Sequence, residues 1–318
     1  MHSIRELTYF IFFVLFILVS VQNVIGQNDN RFSNHIIVIG IDGLTSDGIH
    51  NANTPTIDSL LLHAAYTFSC QAVLPTSSSP NWASMIMGAS PIKHGVTSND
   101  WEPDDPNIDL ECTGRDGKGR NSQMWPTIFG ELRRQDPLSK IACFNNWWGF
   151  DRLIEKGILT KHRRSGLLSS AFNKGHFNVT RKASRYFKKK SPNLMFVHLD
   201  HVDHAGHEFG YGTHQYYDAV HEADNLIKRL IHGIERSGKA NKTHILITSD
   251  HGGIGTGHGD DSPEERLIPW ILTGPNIKAG ELGINVNTFD TAATLAYILT
   301  IDKPECWEGV PVLEAFLY

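Results

Sequence analysis

The sequence predicts an α/β protein built around one mostly parallel central sheet with helices on both faces. Continuous apolar runs rich in β-branched residues occur at 35–41, 194–199 and 245–247. Such runs are typical of strands that are buried on both faces. Amphipathic stretches with helical spacing lie between them, and strands that alternate with helices form parallel sheets. We therefore expect a single domain from about residue 34 to residue 318.

The composition excludes several classes of function. The chain of 318 residues is 40% hydrophobic and 20% charged, which is typical of an ordinary globular protein. Its formal charge of -5 provides no general attraction to nucleic acid or to an anionic membrane surface. We therefore expect no nucleic-acid partner, and the sequence does not indicate the oligomeric state.

The first 26 residues have the pattern of a secretory signal peptide. Arg5 precedes an apolar run at 9–21, and Gly26 supplies a small residue at a cleavage point. We expect the mature chain to be secreted or to reside in the lumen of the secretory pathway, without a membrane span. The alternative is an uncleaved N-terminal anchor, although the run is shorter than the ~20 residues that a membrane span requires.

Export would place the four cysteines in an oxidising compartment, where disulfides form. Cys112 and Cys306 lie in loop-like sequence and are the expected pair. Cys70 and Cys143 lie beside or inside apolar runs, so they are expected to be buried thiols. Export also gives a role to two sequons as glycosylation acceptors, Asn178 and Asn241.

The first half of the domain contains two predicted helices and a short strand between them. The pattern predicts a helix over 54–65, a strand over 71–74, and a second helix with Ser79 as N-cap and Pro80 as its first residue. Ser78 would then stand just outside this helix, where free N–H groups and the helix dipole attract phosphate. Simple capping is the alternative reason for a serine here.

The remaining elements follow from the same patterns. Residues 99–123 have no periodic pattern and predict a long loop, which we interpret as a rim of the substrate site. The other predicted elements are helices at 125–134, 181–190, 216–234 and 288–299, strands at 140–144 and 268–274, and a docked tail at 305–318. Trp147 and Trp148 either line a pocket or pack in the core. The basic run in the second of these helices is interpreted as a solvated face.

Side chains with metal-binding chemistry recur where the predicted strands end. They are Asp42, Ser78, Asp203, His207, Asp250, His251 and His258. Because the carboxyl ends of parallel strands meet at one edge of a sheet, we expect these groups to converge. Carboxylate oxygens and imidazole nitrogens suit zinc and similar first-row metals. His201 and His204 are interpreted as supporting or solvated groups.

Four segments carry a family resemblance. They are Ile41-Asp-Gly43, Pro75-Thr-Ser-Ser-Ser-Pro-Asn81 with the later His94-Gly95, Asp203-His-Ala-Gly-His207, and Thr248-Ser-Asp-His-Gly252 with the later His258. Together they resemble the alkaline phosphatase superfamily, and within it the nucleotide pyrophosphatase/phosphodiesterase-like enzymes. The resemblance covers residues 34–96 and 194–274, whereas residues 97–193 match the family poorly.

The resemblance implies two divalent metal ions, expected to be zinc. One ion would be bound by Asp203, His207 and His258, and the other by Asp42, Asp250, His251 and the Ser78 oxygen. It also implies that Ser78 is the nucleophile and that Asn81 holds a phosphate oxygen. A phosphoserine would form and would then be hydrolysed by water.

These features favour a secreted phosphodiesterase or phosphatase that acts on a small phosphate ester. Nucleotide-cleaving relatives usually have Thr as the nucleophile and an aromatic residue beside it. Because this chain has Ser78 and Ser79 there, we expect little preference for nucleotides. A phospho-group transferase or a phosphonate hydrolase of the same superfamily is the alternative, and a non-catalytic metal-binding module is a third possibility.

Overall fold

A computed structural model describes residues 34–103, 111–165 and 175–317. The predicted signal peptide at 1–26 and part of the predicted rim loop, residues 104–110, lie outside the described residues. Within them, one sheet contains eight strands. The strands are β1 His35–Ile41, β2 Ala64–Gln71, β3 Ile141–Asn145, β4 Lys161–Arg164, β5 Leu194–Leu199, β6 Thr243–Thr248, β7 Leu267–Thr273 and β8 Gly280–Glu281.

The sheet has the strand order β4-β3-β5-β1-β6-β7-β2-β8. The first five strands in this order pair in parallel, whereas β7 is antiparallel to both of its neighbours, β6 and β2. The last pair, β2 and β8, is again parallel. The prediction of a mostly parallel sheet is therefore confirmed, with β7 as the reversed strand. Because β1, β2, β5 and β6 point the same way, the segments that follow them meet at one edge.

Helices connect the strands of this sheet. They are α1 Ser46–Asn51, α2 Pro55–Leu61, α3 Ser78–Met87, α4 Pro91–His94, α5 Ile128–Gln135, α6 Gly175–Lys190, α7 His201–Phe209, α8 His214–Glu235, α9 Pro263–Arg266 and α10 Asp290–Leu299. Short 3-10 helices occur at Trp148–Leu153, Ala240–Lys242 and Leu313–Ala315. Among the described residues, no helix is both long and apolar enough to cross a membrane.

Both faces of the central strand β1 are covered, as the unbroken apolar run predicts. On one face, Ile37 and Ile39 belong to a core that includes Phe187 of α6 and Ile227 of α8. On the other face, Gly40 allows α3 to approach the sheet closely. A Cβ atom at Gly40 would lie 2.5 Å from the ring of Trp82, so no larger residue fits there without displacing that ring.

The prediction of a strand at 71–74 is wrong, because β2 instead runs from Ala64 to Gln71. Its backbone pairs with β7 at both ends, with a register shift between Thr67 and Cys70, and this ladder shortens the preceding helix, which ends at Leu61 rather than Ala65. Beyond the strand, the backbone of Val73 is bonded by a side chain rather than by a neighbouring strand. Local propensity could not reveal this pairing, since it depends on a strand about 200 residues away.

Several helix starts differ from the prediction for local reasons. The N-cap of α3 is Ser77, so Ser78 is the first helical residue rather than the residue before the helix. Helix α5 begins at Ile128 because the Thr127 hydroxyl accepts from the Gly130 amide. Helix α6 begins at Gly175, and α10 begins at Asp290. The short strand β4 was not predicted, because its exposed residues are all basic.

The C-terminal tail packs against the domain. Trp307 is buried and donates to the Pro126 carbonyl, 3.0 Å away. The adjacent Cys306 forms a disulfide with Cys112, which joins the tail to the loop before α5. Cys70 and Cys143 are free thiols, and both are buried.

Candidate metal centre

Three buried side chains form an inner cluster at the edge where β1 and β6 end: Asp42, Asp250 and His251. The His251 Nε2 atom lies 3.5 Å from Asp42 Oδ1 and 3.3 Å from Asp250 Oδ2. On the other side of the ring, Nδ1 lies 2.8 Å from the Gly252 carbonyl oxygen. Because a carbonyl can only accept, Nδ1 carries the proton of the neutral ring and Nε2 presents a lone pair to the two carboxylates.

Three more side chains form an outer cluster: Asp203, His207 and His258. Both histidines again bind backbone carbonyl groups through Nδ1, at 2.9 Å from Thr256 and 2.7 Å from Thr76. Their Nε2 atoms therefore face each other, 3.2 Å apart, with Asp203 Oδ2 3.3 Å from the first of them. This orientation is the usual one for metal-binding histidines, whose second nitrogen is fixed by a backbone acceptor.

The electrostatics of both clusters favour a cation. Burial and the neighbouring Asp250 and Asp203 raise the pKa of Asp42 well above its ordinary value, and burial also raises the pKa of Asp250. One oxygen of each, Asp42 Oδ1 and Asp250 Oδ2, is buried without a hydrogen bond to any described residue. In the outer cluster, the bond with Asp203 raises the pKa of His207 to about 9. The chemistry of these donors fits a divalent ion in each cluster. Such an ion would bind the two buried oxygens that lack a hydrogen bond and would replace the proton that His207 otherwise holds.

The sheet edge explains why these side chains converge. Asp42 directly follows β1, and its amide bonds the last residue of β5. Gly43 then adopts a positive φ of 65°, and a Cβ atom there would lie 2.8 Å from Asp203. The Ser249 hydroxyl donates to the Ile41 carbonyl and so fastens the end of β6 to the end of β1. The glycine and this hydrogen bond bring the loops after β1 and β6 and the start of helix α7 close enough to share one site.

Asp203 and His207 lie one turn apart on helix α7. Residues at i and i+4 share a helix face, so the helix presents both groups to one point. Ser78 lies beside the inner cluster, with its Oγ atom 3.4 Å from His251 Nε2. The His251 and His258 rings stack with their centroids 3.6 Å apart, so the two clusters adjoin. All seven predicted metal-ligand candidates therefore lie at one site.

The structure adds three contacts that the sequence did not reveal. Trp82 Nε1 and His198 Nε2 lie 3.2 Å and 3.1 Å from Asp42 Oδ2. The Tyr211 hydroxyl donates to Asp203 Oδ1 at 2.5 Å. The one available signal was His198, a polar residue inside an otherwise apolar strand. Each contact holds a carboxylate oxygen and so fixes the orientation of a cluster member.

The predicted role of Asn81 is not supported by its contacts. Its Oδ1 accepts from the Val73 amide, and its Nδ2 lies within hydrogen-bonding distance of three carbonyl oxygens, those of Val73, Pro75 and Ser77. The side chain is fully buried and holds the loop before α3, so it has no donor left for a phosphate oxygen. A different amide, Asn99, is bonded through Oδ1 to the Ser79 N–H at 2.8 Å.

The other histidines of the motifs lie away from the two clusters. His94 is buried and bonds Ser84 and the Val96 amide, and burial lowers its pKa to about 3. His204 is exposed, and His201 faces a different histidine, His176.

The predicted glycosylation acceptors and tryptophans occupy different settings. Asn178 lies on α6 and accepts from Arg181, whereas Asn241 is exposed in a 3-10 helix. Trp147 stacks on His198, and the exposed Trp148 lies under the Arg152 guanidinium.

Solved structures share this architecture. Human ectonucleotide pyrophosphatase/phosphodiesterase 5 superposes with a TM-score of 0.72 at 15% identity, covering 89% of this chain and 99% of that one. The alkaline phosphatase PafA superposes with a TM-score of 0.70 at 12% identity, covering 88% and 98%. The fold is therefore alkaline phosphatase-like. Over residues 36–270 the chain matches the family described as type I phosphodiesterase / nucleotide pyrophosphatase, and it belongs to that family.

Relatives of two kinds match most of the chain. An uncharacterized pyrophosphatase/phosphodiesterase of Schizosaccharomyces pombe is 25% identical over 79% of this chain and 50% of its own length. GPI ethanolamine phosphate transferase 1 of Mus musculus is 24% identical over 76% of this chain and 26% of its own length. The chain thus spans half or less of the length of these relatives.

Proposed function

We propose that this chain is a phosphoric ester hydrolase that uses two divalent metal ions and forms a phosphoserine on Ser78. The observation that carries the proposal is the pair of clusters beside Ser78, in which three imidazole Nε2 atoms face carboxylate oxygens. We further propose export to the secretory lumen or the medium. The ectonucleotide and GPI-related names of the relatives are in keeping with that location.

Asp203, His207 and His258 would hold one ion, and Asp42, Asp250, His251 and the Ser78 oxygen the other. Zinc suits this mixture of imidazole and carboxylate donors. When bound, the two ions supply Lewis-acid stabilisation of the attacking and leaving oxygens of an in-line displacement.

The residues of the chain would then act as follows. Ser78 gives its hydroxyl proton to water, and Oγ forms a bond to phosphorus as the bond to the leaving oxygen breaks; the departing alkoxide takes a proton from water. In the second step, a water molecule bonds phosphorus through its oxygen as the bond to Ser78 Oγ breaks, and the proton lost by the attacking water restores the Ser78 hydroxyl. The fixed position of Ser78 in the first turn of α3 holds Oγ in line for both displacements.

Amide groups near Ser78 would hold the non-bridging oxygens. The Ser79 N–H is already bonded to Asn99, and Pro80 has no N–H, so most of the expected helix-terminal donors are used. Since Asn99 offers its oxygen to Ser79, its Nδ2 group is the one that can donate to a phosphate oxygen. We therefore assign to Asn99 the role that the sequence suggested for Asn81.

The decisive test is to trap the intermediate. Full-length parent and the Ser78→Ala and Ser78→Thr variants are loaded with zinc, mixed with a chromogenic phosphomonoester or diester, quenched in acid and analysed by peptide mass spectrometry. We expect a phosphate on Ser78 in the parent, none on Ser78→Ala, and a phosphothreonine on Ser78→Thr. Turnover by Ser78→Ala within tenfold of the parent would exclude a nucleophilic role.

The substrate class is tested with the same zinc-loaded protein. Ser79 is buried and has no aromatic surface, so nucleotide esters should gain mainly their phosphate contacts. We expect catalytic efficiency on a nucleotide ester within about tenfold of that on a simple aryl phosphodiester, because stacking that is worth ~1–3 kcal/mol elsewhere is missing. A preference of 100-fold or more for the nucleotide would contradict this argument.

The second candidate is transfer of the phospho-group to an alcohol, which the GPI ethanolamine phosphate transferase relatives favour. Hydrolysis and transfer share the phosphoserine and differ in what attacks it. Turnover in the presence of increasing ethanolamine or glycerol separates them. If most of the phospho-group is recovered on the added alcohol at millimolar concentration, transfer is the activity; if it is recovered as free acid, hydrolysis is.

A further inference from the structure

A third group of potential metal ligands lies outside the two clusters. One ligand atom each from His176, His201 and Glu222 lies within 4.8 Å of the other two. His176 is the second residue of α6, His201 is the first residue of α7, and Glu222 lies in the middle of α8. The three side chains line a cavity of about 290 Å³, together with His204 and Asp218.

The His201 ring is the feature that points to a ligand. Both of its nitrogens are buried, and neither makes a hydrogen bond of acceptable geometry to a described residue, although the Ala219 backbone lies beside the ring. Buried imidazole nitrogens without a partner cost ~1–3 kcal/mol, so such groups normally have one. The ring stacks on His176 with the centroids 4.1 Å apart, and one nitrogen of each ring lies within 4.8 Å of the other.

The remaining two side chains complete a recognisable donor set. His176 Nε2 lies 2.9 Å from Glu222 Oε1. Two ligands bound to one zinc ion at ~2.0–2.1 Å in tetrahedral geometry lie about 3.3 Å apart, so His176 and Glu222 would have to separate by only a few tenths of an ångström to share an ion. The third ligand atom, from His201, lies within 4.8 Å of both. Two imidazoles and a carboxylate, with a position left for water, form a set that zinc prefers.

This site is distinct from the outer cluster although both use α7. His201 and Asp203 are two residues apart on that helix, so their side chains leave it on opposite sides. An ion bound by His201 would therefore lie behind the helix that carries Asp203 and His207. There it would join the start of α7 to α6 and α8.

We propose that His176, His201 and Glu222 bind a further zinc-type ion, which fixes α7 against its two neighbouring helices. The ion is structural, because no group of the three contacts Ser78 or either cluster. It stabilises the folded chain by mass action, since the unfolded chain does not hold the three ligands together.

The test compares full-length parent with Glu222→Gln and His176→Asn, each stripped with a chelator, reloaded with zinc and freed of excess metal. The matched control is Asp218→Asn, which lines the same cavity but is not one of the three ligands. Metal content is measured by inductively coupled plasma mass spectrometry, and thermal unfolding is followed with and without zinc. Glu222 is 38% exposed and the Gln side chain has the same size, so this variant is expected to fold.

We expect Glu222→Gln and His176→Asn each to hold one equivalent of zinc less than the parent, and Asp218→Asn to match the parent. Zinc should raise the melting temperature of the parent by more than that of Glu222→Gln. The difference of one equivalent is informative however many ions the other two clusters hold. Equal metal content in the parent and both ligand variants would show that the pair His176–Glu222 is an ion pair only and would overturn the proposal.

Discussion

Replacing Tyr211 with phenylalanine should weaken metal binding at the outer cluster without disturbing its packing. The Tyr211 hydroxyl donates to Asp203 Oδ1 at 2.5 Å, and burial and the adjacent Asp203 raise the pKa of this phenol, so it remains a donor at neutral pH. Its ring fills the space beside Gly206 and Gly253, where a Cβ atom would lie 2.5 Å and 2.3 Å from it. Phenylalanine would keep that ring contact and lose the hydrogen bond alone.

The expected size of the effect follows from the lost bond. A hydrogen bond to a charged group contributes about 1.5–3 kcal/mol, and losing such a contact to a metal ligand typically costs 10–100-fold in metal affinity. Because a factor of ten corresponds to ~1.4 kcal/mol, the two ranges agree. We therefore expect Tyr211→Phe to need 10–100-fold more free zinc for half-maximal activity, with a similar plateau once the site is saturated.

The assay measures turnover of a chromogenic phosphate ester across zinc-buffered solutions. Tyr217→Phe is the matched control, because the Tyr217 hydroxyl also donates to a carboxylate, Asp47, at 2.7 Å, but on the exposed surface. This variant should show no shift. A half-saturation shift below twofold for Tyr211→Phe, or an equal shift for both variants, would refute the role of Tyr211 in holding Asp203.

Three further predictions concern stability and positioning. Burial raises the pKa of Glu155 from 4.5 to about 7. The stability linked to this shift is fully present below pH 4.5, and about 3 kcal/mol of it is lost as pH rises through 7. The free energy of urea unfolding should therefore fall between pH 5 and pH 8 in the parent, and it should fall clearly less in Glu155→Gln. Asn99→Ala should lower turnover by about 10²-fold and cost only the single hydrogen bond to the Ser79 N–H, about 1 kcal/mol of folding stability. Asn81→Ala should instead cost about 2–4 kcal/mol, because several buried backbone groups lose their partner. The opposite pattern would restore the sequence-based role of Asn81. The disulfide between Cys112 and Cys306 spans 194 residues, so replacing both with serine should lower the free energy of unfolding by about 2–5 kcal/mol, and an unchanged denaturation midpoint would contradict that.

The sequence predicted those site residues that are recognisable by their type and by their position at the end of a strand. Asp42 and Asp250 each end an apolar run, and a carboxylate at that position predicts both the strand and the direction of its side chain. Parallel pairing then brings these ends together, which is why the inner cluster could be inferred without coordinates. The outer cluster needed the motif as well, because Asp203 and His207 reach one point only through the turn of a helix.

The features of the site and the fold that the sequence did not predict depend on contacts between distant segments. Tyr211 and Trp82 hold carboxylates from other parts of the chain, and nothing in their local sequence marks them for that role. The same holds for Asn81 and Asn99, whose roles follow from which backbone groups lie nearby rather than from distance to Ser78 along the chain. The extended β2 likewise depends on its pairing with β7.

The central claim is that two adjoining clusters bind divalent ions beside Ser78. Metal content of the full-length protein, measured together with turnover, tests it directly in the parent, in Asp42→Asn for the inner cluster and in Asp203→Asn for the outer cluster. We predict that each variant loses one equivalent of bound zinc relative to the parent and at least 10²-fold in turnover, because we propose each carboxylate as a direct ligand. Unchanged metal content in both variants, or full turnover after exhaustive chelation, would contradict the account.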